Sequence, residues 1–277
     1  MKKIIEKIVN LDRRIIFLSV ILVILFPIIH PLKLPGLKVT APVRGVYDQI
    51  EALPPGSTIA VSFDFDPASK PELYPMGMAV CRHAFSRNIK IVGMNLWVTG
   101  TGLADEIITT AANEYNKKYG EDYVFLGWQP LPIAVITGVF TNVYKIYPKD
   151  QKGNTTKGLP VLEGFNSFQD ADYFVSLGAG YPGLIEWVQF GTDKFKVKIG
   201  AGCTAVSEPG LRPFYPIQIT GLIPAMKGAA EYEALIGKPD MAVAGLDAIS
   251  LAHFLIIFFI ILCNITPFLL KLCEEKK

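Results

Sequence analysis

Thr58-Ile-Ala-Val-Ser-Phe63, running into Asp64-Phe-Asp66-Pro67, decides the fold. The first six residues follow a Pro-Pro-Gly turn and are mostly apolar or β-branched, which predicts a buried strand. Met76 to Arg87 then spaces its apolar residues as a helix does, and Ile89 to Leu96 reads as a second strand. Strand, helix and strand in this order imply parallel pairing through a helical crossover. The rhythm continues. Leu103 to Lys118 is a predicted helix, Tyr123 to Trp128 a strand, and Leu131 to Val143 a helix. Ala171 to Leu177 is a strand, Leu184 to Phe190 a short helix, and Lys194 to Ile199 a strand. Ile217 to Ile236 closes the series with a helical pattern broken near Pro224, and residues 39–53 suit an opening helix. Five strands in this pattern predict an α/β fold with an open, doubly wound, mostly parallel, Rossmann-like sheet. Lys145 to Gln169 is polar and interrupts the rhythm, as a long loop or the crossover between two halves.

Outward from this domain, two stretches carry no charged side chain: Ile15 to Leu32 and Ala248 to Leu270. As helices they would measure roughly 27 Å and roughly 35 Å, against a bilayer core of about 30 Å. The sequence therefore predicts a basic tail (1–14), a transmembrane helix (15–32), an α/β domain (33–247), a second transmembrane helix (248–270) and a short tail (271–277). Pro27 and Pro31 should kink or end the first helix. No small-x-small cleavage site follows it, so an uncleaved anchor fits better than a signal peptide. Lys2, Lys3, Lys7, Arg13 and Arg14 flank the first stretch, and Lys271, Lys276 and Lys277 the second. Positive charge beside a span favours the cytoplasm. Both termini are thus expected to be cytoplasmic, with the domain periplasmic or extracellular. In the second stretch Ser250, His253 and Thr266 read as internally bonded or end groups, and Asn264 as a possible helix–helix contact.

Composition narrows the function classes. Mean hydropathy is +0.35, much of it from the two apolar stretches. Residues 33–247 hold 19 basic and 21 acidic side chains, with no basic patch interleaved with aromatics, so nucleic acid is not an expected partner. Of the four cysteines, Cys263 and Cys273 belong to the second stretch and its end. Cys81 and Cys203 lie in the domain, either as a pair or as two buried thiols. Neither belongs to a CxxC motif, which argues against a zinc site.

In an open parallel sheet, ligands bind beyond the carboxyl ends of the strands. Asp64 and Asp66 leave the first strand there. A hydrophobic strand followed by Asp-x-Asp is similar to the start of haloacid-dehalogenase-like phosphotransferases, in which one carboxylate attacks phosphorus and both help hold Mg²⁺. No later acidic pair follows a strand where that chemistry needs one. The plainer reading is two turn residues bonded to local N–H groups, with a bound cation as the functional alternative. Glycines mark the other exits: Gly100 and Gly102; Gly178, Gly180 and Gly183; Gly200 and Gly202. These seven are the candidate ligand-binding positions, because glycine lets backbone N–H groups approach a ligand closely. Gly178-x-Gly180-x-x-Gly183 matches the dinucleotide fingerprint in letter. The acidic residue expected about 20 positions on is missing, however, and Pro182 removes an N–H donor. Cys203 with His83 is the one nucleophile–base pair the domain permits. The sequence implies no particular cofactor.

Pro216 to Glu233, then Asp247 to His253 leading into the second apolar stretch, resemble an uncharacterised group of prokaryotic membrane-anchored proteins with two transmembrane helices and a Rossmann-like domain. Phe63 to Pro67 and Asp170 to Gly183 are similar to the same group. The resemblance implies the layout and no activity.

Three functional expectations follow. The first is a non-enzymatic subunit of a membrane assembly, docking other membrane proteins or copies of itself. The second is a small-ligand-binding domain coupled to a membrane partner. The third is a metal-dependent hydrolase or transferase using Asp64 and Asp66, or Cys203 with His83.

Overall fold

The computed structural model describes residues 12–32, 34 and 36–275. Lys2, Lys3, Lys7, Lys33, Lys276 and Lys277 lie outside the described residues, as do the side chains of Lys271 and Cys273. The chain divides into two compact units, Leu37–Ala242 and a second made of the segments on either side of it.

The second unit holds two apolar helices. α1 (Arg13–Ile29) is capped by Asp12, whose carboxylate accepts the Arg14 N–H. It starts two residues before the uncharged stretch, runs through Pro27, and ends three residues short of Leu32. Its 17 residues give about 25 Å. The last helix of the chain runs Met241–Glu275. Within it, Met241–Pro267 is the one described helix both long and apolar enough to cross a bilayer. Three of its polar side chains bond to the helix's own backbone: the Ser250 hydroxyl donates to Leu246 O, the Asn264 amide to Ile260 O, and the Thr266 hydroxyl to Leu262 O. The Asp247 carboxylate, buried near the start of this helix, accepts the N–H groups of Leu32 (3.0 Å) and Leu34 (3.1 Å).

The Leu37–Ala242 unit is a six-stranded, all-parallel sheet in the order β3-β2-β1-β4-β5-β6, a Rossmann-like α/β fold. In chain order its elements are α2 (Ala41–Glu51), β1 (Thr58–Asp64), α3 (Lys70–Ser86), β2 (Lys90–Asn95), α4 (Thr101–Glu114) and β3 (Tyr123–Trp128). α5 (Pro132–Val139), α6 (Val143–Ile146) and β4 (Tyr173–Gly178) follow. α7 (Leu184–Trp187) passes through a π-helical turn, Val188–Thr192, into Asp193–Phe195. β5 (Ile199–Cys203), α8 (Glu208–Leu211), β6 (Gly221–Pro224) and α9 (Ala225–Leu235) complete it, and the Met241–Glu275 helix is α10.

Three expectations needed correction. The fifth strand is Ile199–Cys203, not Lys194–Ile199, where the chain still finishes a helical turn. A sixth strand, Gly221–Pro224, stands where a helix was expected, and α9 begins only after Pro224. The helix expected over Leu131–Val143 breaks at Phe140 into α5 and α6.

Strand order reverses beside β1, between β2 and β4. The crossovers from β1 outward to β3 place α3 and α4 on one face, where α3 also meets α9 and α2. The long β3–β4 connection and α7 cover the other face with an aromatic cluster. Phe174 and Trp187 meet edge to face at 4.7 Å between ring centroids, and Phe140 and Phe168 pack around them. Even-numbered residues of β1 (Ala60, Ser62, Asp64) share the face of Phe174 and Ser176, because strand side chains alternate. α9 returns from the carboxyl edge, so the unit's last residues lie at the amino edge. There Arg82 of α3 forks onto Glu114 of α4 and reaches Asp240, with Lys238 also on Glu114.

Candidate functional site

The carboxyl edge at the reversal of strand order is where an open α/β sheet offers a crevice. Its centre is Asp64, the last residue of β1, in register with Gly178 of β4 and fully buried. Oδ1 accepts the Ser62 hydroxyl (2.7 Å) and the Leu96 backbone N–H (2.8 Å). Oδ2 accepts the Trp187 indole N–H (2.8 Å). Desolvation, helped by the nearby Glu186 charge, pushes the Asp64 pKa up to about 7 against the pull of these three donors. Asp66 is half-buried and caps the short turn Pro67–Ser69, accepting the Ser69 N–H at 3.2 Å. The two carboxylates do not converge. Among the described residues no group of three His, Cys, Asp or Glu side chains is placed to hold a metal ion.

The exit loops are laced together by all three tryptophans. Trp97 donates its indole N–H to Pro182 O at 2.7 Å, joining the β2 and β4 exits. Trp128 donates to Leu96 O at 3.1 Å, joining β3 to β2. Trp187 reaches Asp64. The Ser207 hydroxyl donates to Ala179 O (3.0 Å) between the β4 and β5 exits, and the Ala205 N–H to Glu72 of α3.

The candidate glycines divide by role. Gly178 and Gly180 line a cleft of about 350 Å³ between the β4 and β5 exits, with Tyr181, Leu184, Glu186, Val206 and Leu211 around them. Gly183 closes the turn beside it: a Cβ there would lie 2.2 Å from Gly180 O. Gly100 packs against the β1 exit, where a Cβ would lie 2.0 Å from Phe65 O, whereas Gly102 opens α4 with nothing within 4 Å. Gly200 and Gly202 are inside β5, not in its exit loop. Tyr173 fills the space beside the first, and Leu177 with Met76 the space beside the second. At the fingerprint-like turn, Glu186 accepts the Gly183 N–H at 2.8 Å. A carboxylate thus occupies the place where a dinucleotide's phosphate would bind.

Cys203 and His83 are not a pair. His83 Nδ1 meets the Tyr232 hydroxyl (2.8 Å), Nε2 meets Glu51 (2.9 Å), and the ring stacks on Tyr47 with centroids 4.5 Å apart. Burial holds its pKa below the usual histidine value against the opposing pull of Glu51. Cys203 ends β5 as a buried free thiol, pushed up to about 12 by desolvation; Cys81 is likewise buried and free.

No family model, curated protein or solved structure matches the chain.

The site's geometry also brings in residues the strand-exit rule passed over: Tyr181, Ile185, Glu186 and Val206 around the cleft, and Trp187 behind it. Tyr181 is 71% exposed and Val206 90%, an uncommon state for an aromatic and a β-branched residue. With Val98 of the β2 exit and Leu131 after β3, they put large exposed apolar side chains on four exits of the carboxyl edge, two on either side of β1.

Gly100→Ala should lower stability by about 2 kcal/mol through its backbone collision, whereas Gly102→Ala should raise it by about 0.5–1 kcal/mol through helix propensity. Thermal unfolding of the detergent-solubilised chain measures both, and equal shifts would contradict the close-packing role of Gly100. For Asp64, the folded pKa of about 7 lies above an unfolded value of about 3.9. Its stabilising contribution is full below about pH 4 and is lost as pH rises to about 7, a fall of about 4 kcal/mol. Asp64→Asn should flatten that part of the stability–pH curve, and an unchanged slope would contradict the assignment.

Proposed function

We propose that this chain is a membrane-anchored, non-enzymatic subunit whose Rossmann-like domain docks another protein or a second copy through its carboxyl edge. One observation carries this reading. The candidates for chemistry that the sequence placed at that edge (Asp64, Asp66 and Cys203) are engaged or buried within the fold, while Val98, Leu131, Tyr181 and Val206 are exposed. Large exposed apolar side chains gathered on one edge of the sheet suit an interaction surface.

The anchor is read as two-pass. α10 supplies one span, and α1 with the apolar residues up to Leu32 supplies the other. The Asp247 bonds to Leu32 and Leu34 support a paired arrangement of the two stems. The flanking basic residues favour cytoplasmic termini and a periplasmic or extracellular domain in the cytoplasmic membrane.

A specific observation favours a second reading, a small-ligand domain coupled to a membrane partner: the cleft between the β4 and β5 exits has the size of a small-molecule site. The hydrolase or transferase reading has no such support, since neither Asp64 oxygen is turned to a ligand.

A photo-crosslinking residue at Val206 in native membranes should give a discrete adduct with a partner or a second copy, and one at Lys118, after α4, should not. Only monomer from both positions would contradict docking. The chain should also stay in the membrane pellet after alkali extraction; release into the supernatant would remove the anchor.

A further inference from the structure

We propose that the cleft between the β4 and β5 exits takes a small amphiphilic amine, with its ammonium group against Glu186 and its hydrocarbon body against Tyr181, Leu184, Ile185, Val206 and Leu211. The assignment rests on the second reading above, that this cleft is a small-molecule site. Its volume is about 350 Å³, enough for a ligand of several heavy atoms.

The charge of the cleft selects the ligand class. Glu186 is half-buried at the start of α7, and its Oε2 accepts the Gly183 N–H. Among the described residues Oε1 meets no donor, and no Lys, Arg or His pairs with this carboxylate. The cation next in sequence to the cleft wall, Arg212, is already paired with Glu208. Behind Glu186 stands Asp64, close enough for the two charges to interact. A phosphate or carboxylate entering here would meet the like charge of Glu186. An ammonium would instead complete a charge-assisted hydrogen bond to Oε1.

The walls select the rest of the ligand. Tyr181 and Val206 stand on opposite exit loops and are highly exposed, and Ile185 is 39% exposed. An aliphatic body covering them removes apolar area from water. The Tyr181 ring adds an aromatic face of the kind that attracts organic cations. The frame is set in advance: Trp97 holds Pro182, Ser207 holds Ala179, and the Gly180–Gly183 turn is too tight for a side chain at Gly183. A ligand therefore has little loop ordering to impose, which lowers the cost of binding.

Three probes of one shape and different charge test this: cyclohexylmethylamine, cyclohexylmethanol and cyclohexanecarboxylate. They are titrated into the full chain in a non-ionic detergent and followed by tryptophan fluorescence, since Trp97 and Trp187 flank the cleft. The amine should saturate, the alcohol should bind about tenfold more weakly, and the carboxylate should not bind. Glu186→Gln should weaken the amine about tenfold and leave the alcohol unchanged, and Tyr181→Leu should weaken the amine. If Glu186→Gln unfolds through loss of its cap, the amine-to-alcohol ratio of the unaltered chain still decides. Alcohol or carboxylate binding as tightly as the amine would overturn the charge assignment and leave the cleft as a binding site. No saturable response to any of the three would overturn the small-molecule reading with it.

Discussion

The structure depends on one buried carboxylate. Asp64 stands where strand order reverses, and its three hydrogen bonds join separate pieces of chain: its own strand through Ser62, the β2 exit through Leu96, and the helix after β4 through Trp187. A bare carboxylate in such a place would be very costly. Three donors offset part of that cost, and the raised pKa measures what remains. The neighbourhood carries further polar strain. The hydroxyls of Ser176 and Tyr147, on the same sheet face, have no hydrogen-bond partner among the described residues. This polar knot lies against the aromatic cluster, and the carboxyl edge is built on it.

Engaging Asp64 in this way has a functional consequence. In many open α/β sheets the first strand delivers a reactive or ligand-holding group to the crevice. In this domain the strand delivers a brace. What faces outward is what the brace positions: a glycine-lined cleft, one carboxylate with a free oxygen, and apolar side chains on the exits to either side of β1. Such a surface is the basis of the docking reading proposed above. At the amino edge Arg82, Glu114, Lys238 and Asp240 bond to one another and close the far side of the domain.

Much of this was legible in the sequence, unevenly. Tyr123–Trp128 matches its expected strand at both ends, and β1 and β2 match theirs within one residue, because each is a run of apolar and β-branched residues bounded by turn signals. The carboxyl half was harder to read. β5 is Ile-Gly-Ala-Gly-Cys, poor in strand-forming side chains, since Tyr173, Leu177 and Met76 occupy the room its own side chains would need. β6 has four residues and opens on Gly221, against which the α2 backbone packs directly. Long-range packing selected glycine there over local propensity. The site divides in the same way. Strand-exit reasoning reached Asp64, Gly178 and Gly180, but a bond from Trp187 to a residue 123 positions away leaves no local trace. Nor does the exposure of Tyr181 or Val206, which depends on what the fold leaves uncovered. Asp66 is a turn residue, as Asp-Pro sequences commonly are.

Carbon-13 NMR of the Asp64 side-chain carboxyl, assigned by its loss in Asp64→Asn, tests the bracing role most directly. A titration midpoint near 7, unmoved by millimolar Mg²⁺, is the expected result. A midpoint below about 4, or a Mg²⁺-dependent displacement of the signal, would show an open metal-binding carboxylate and contradict the account.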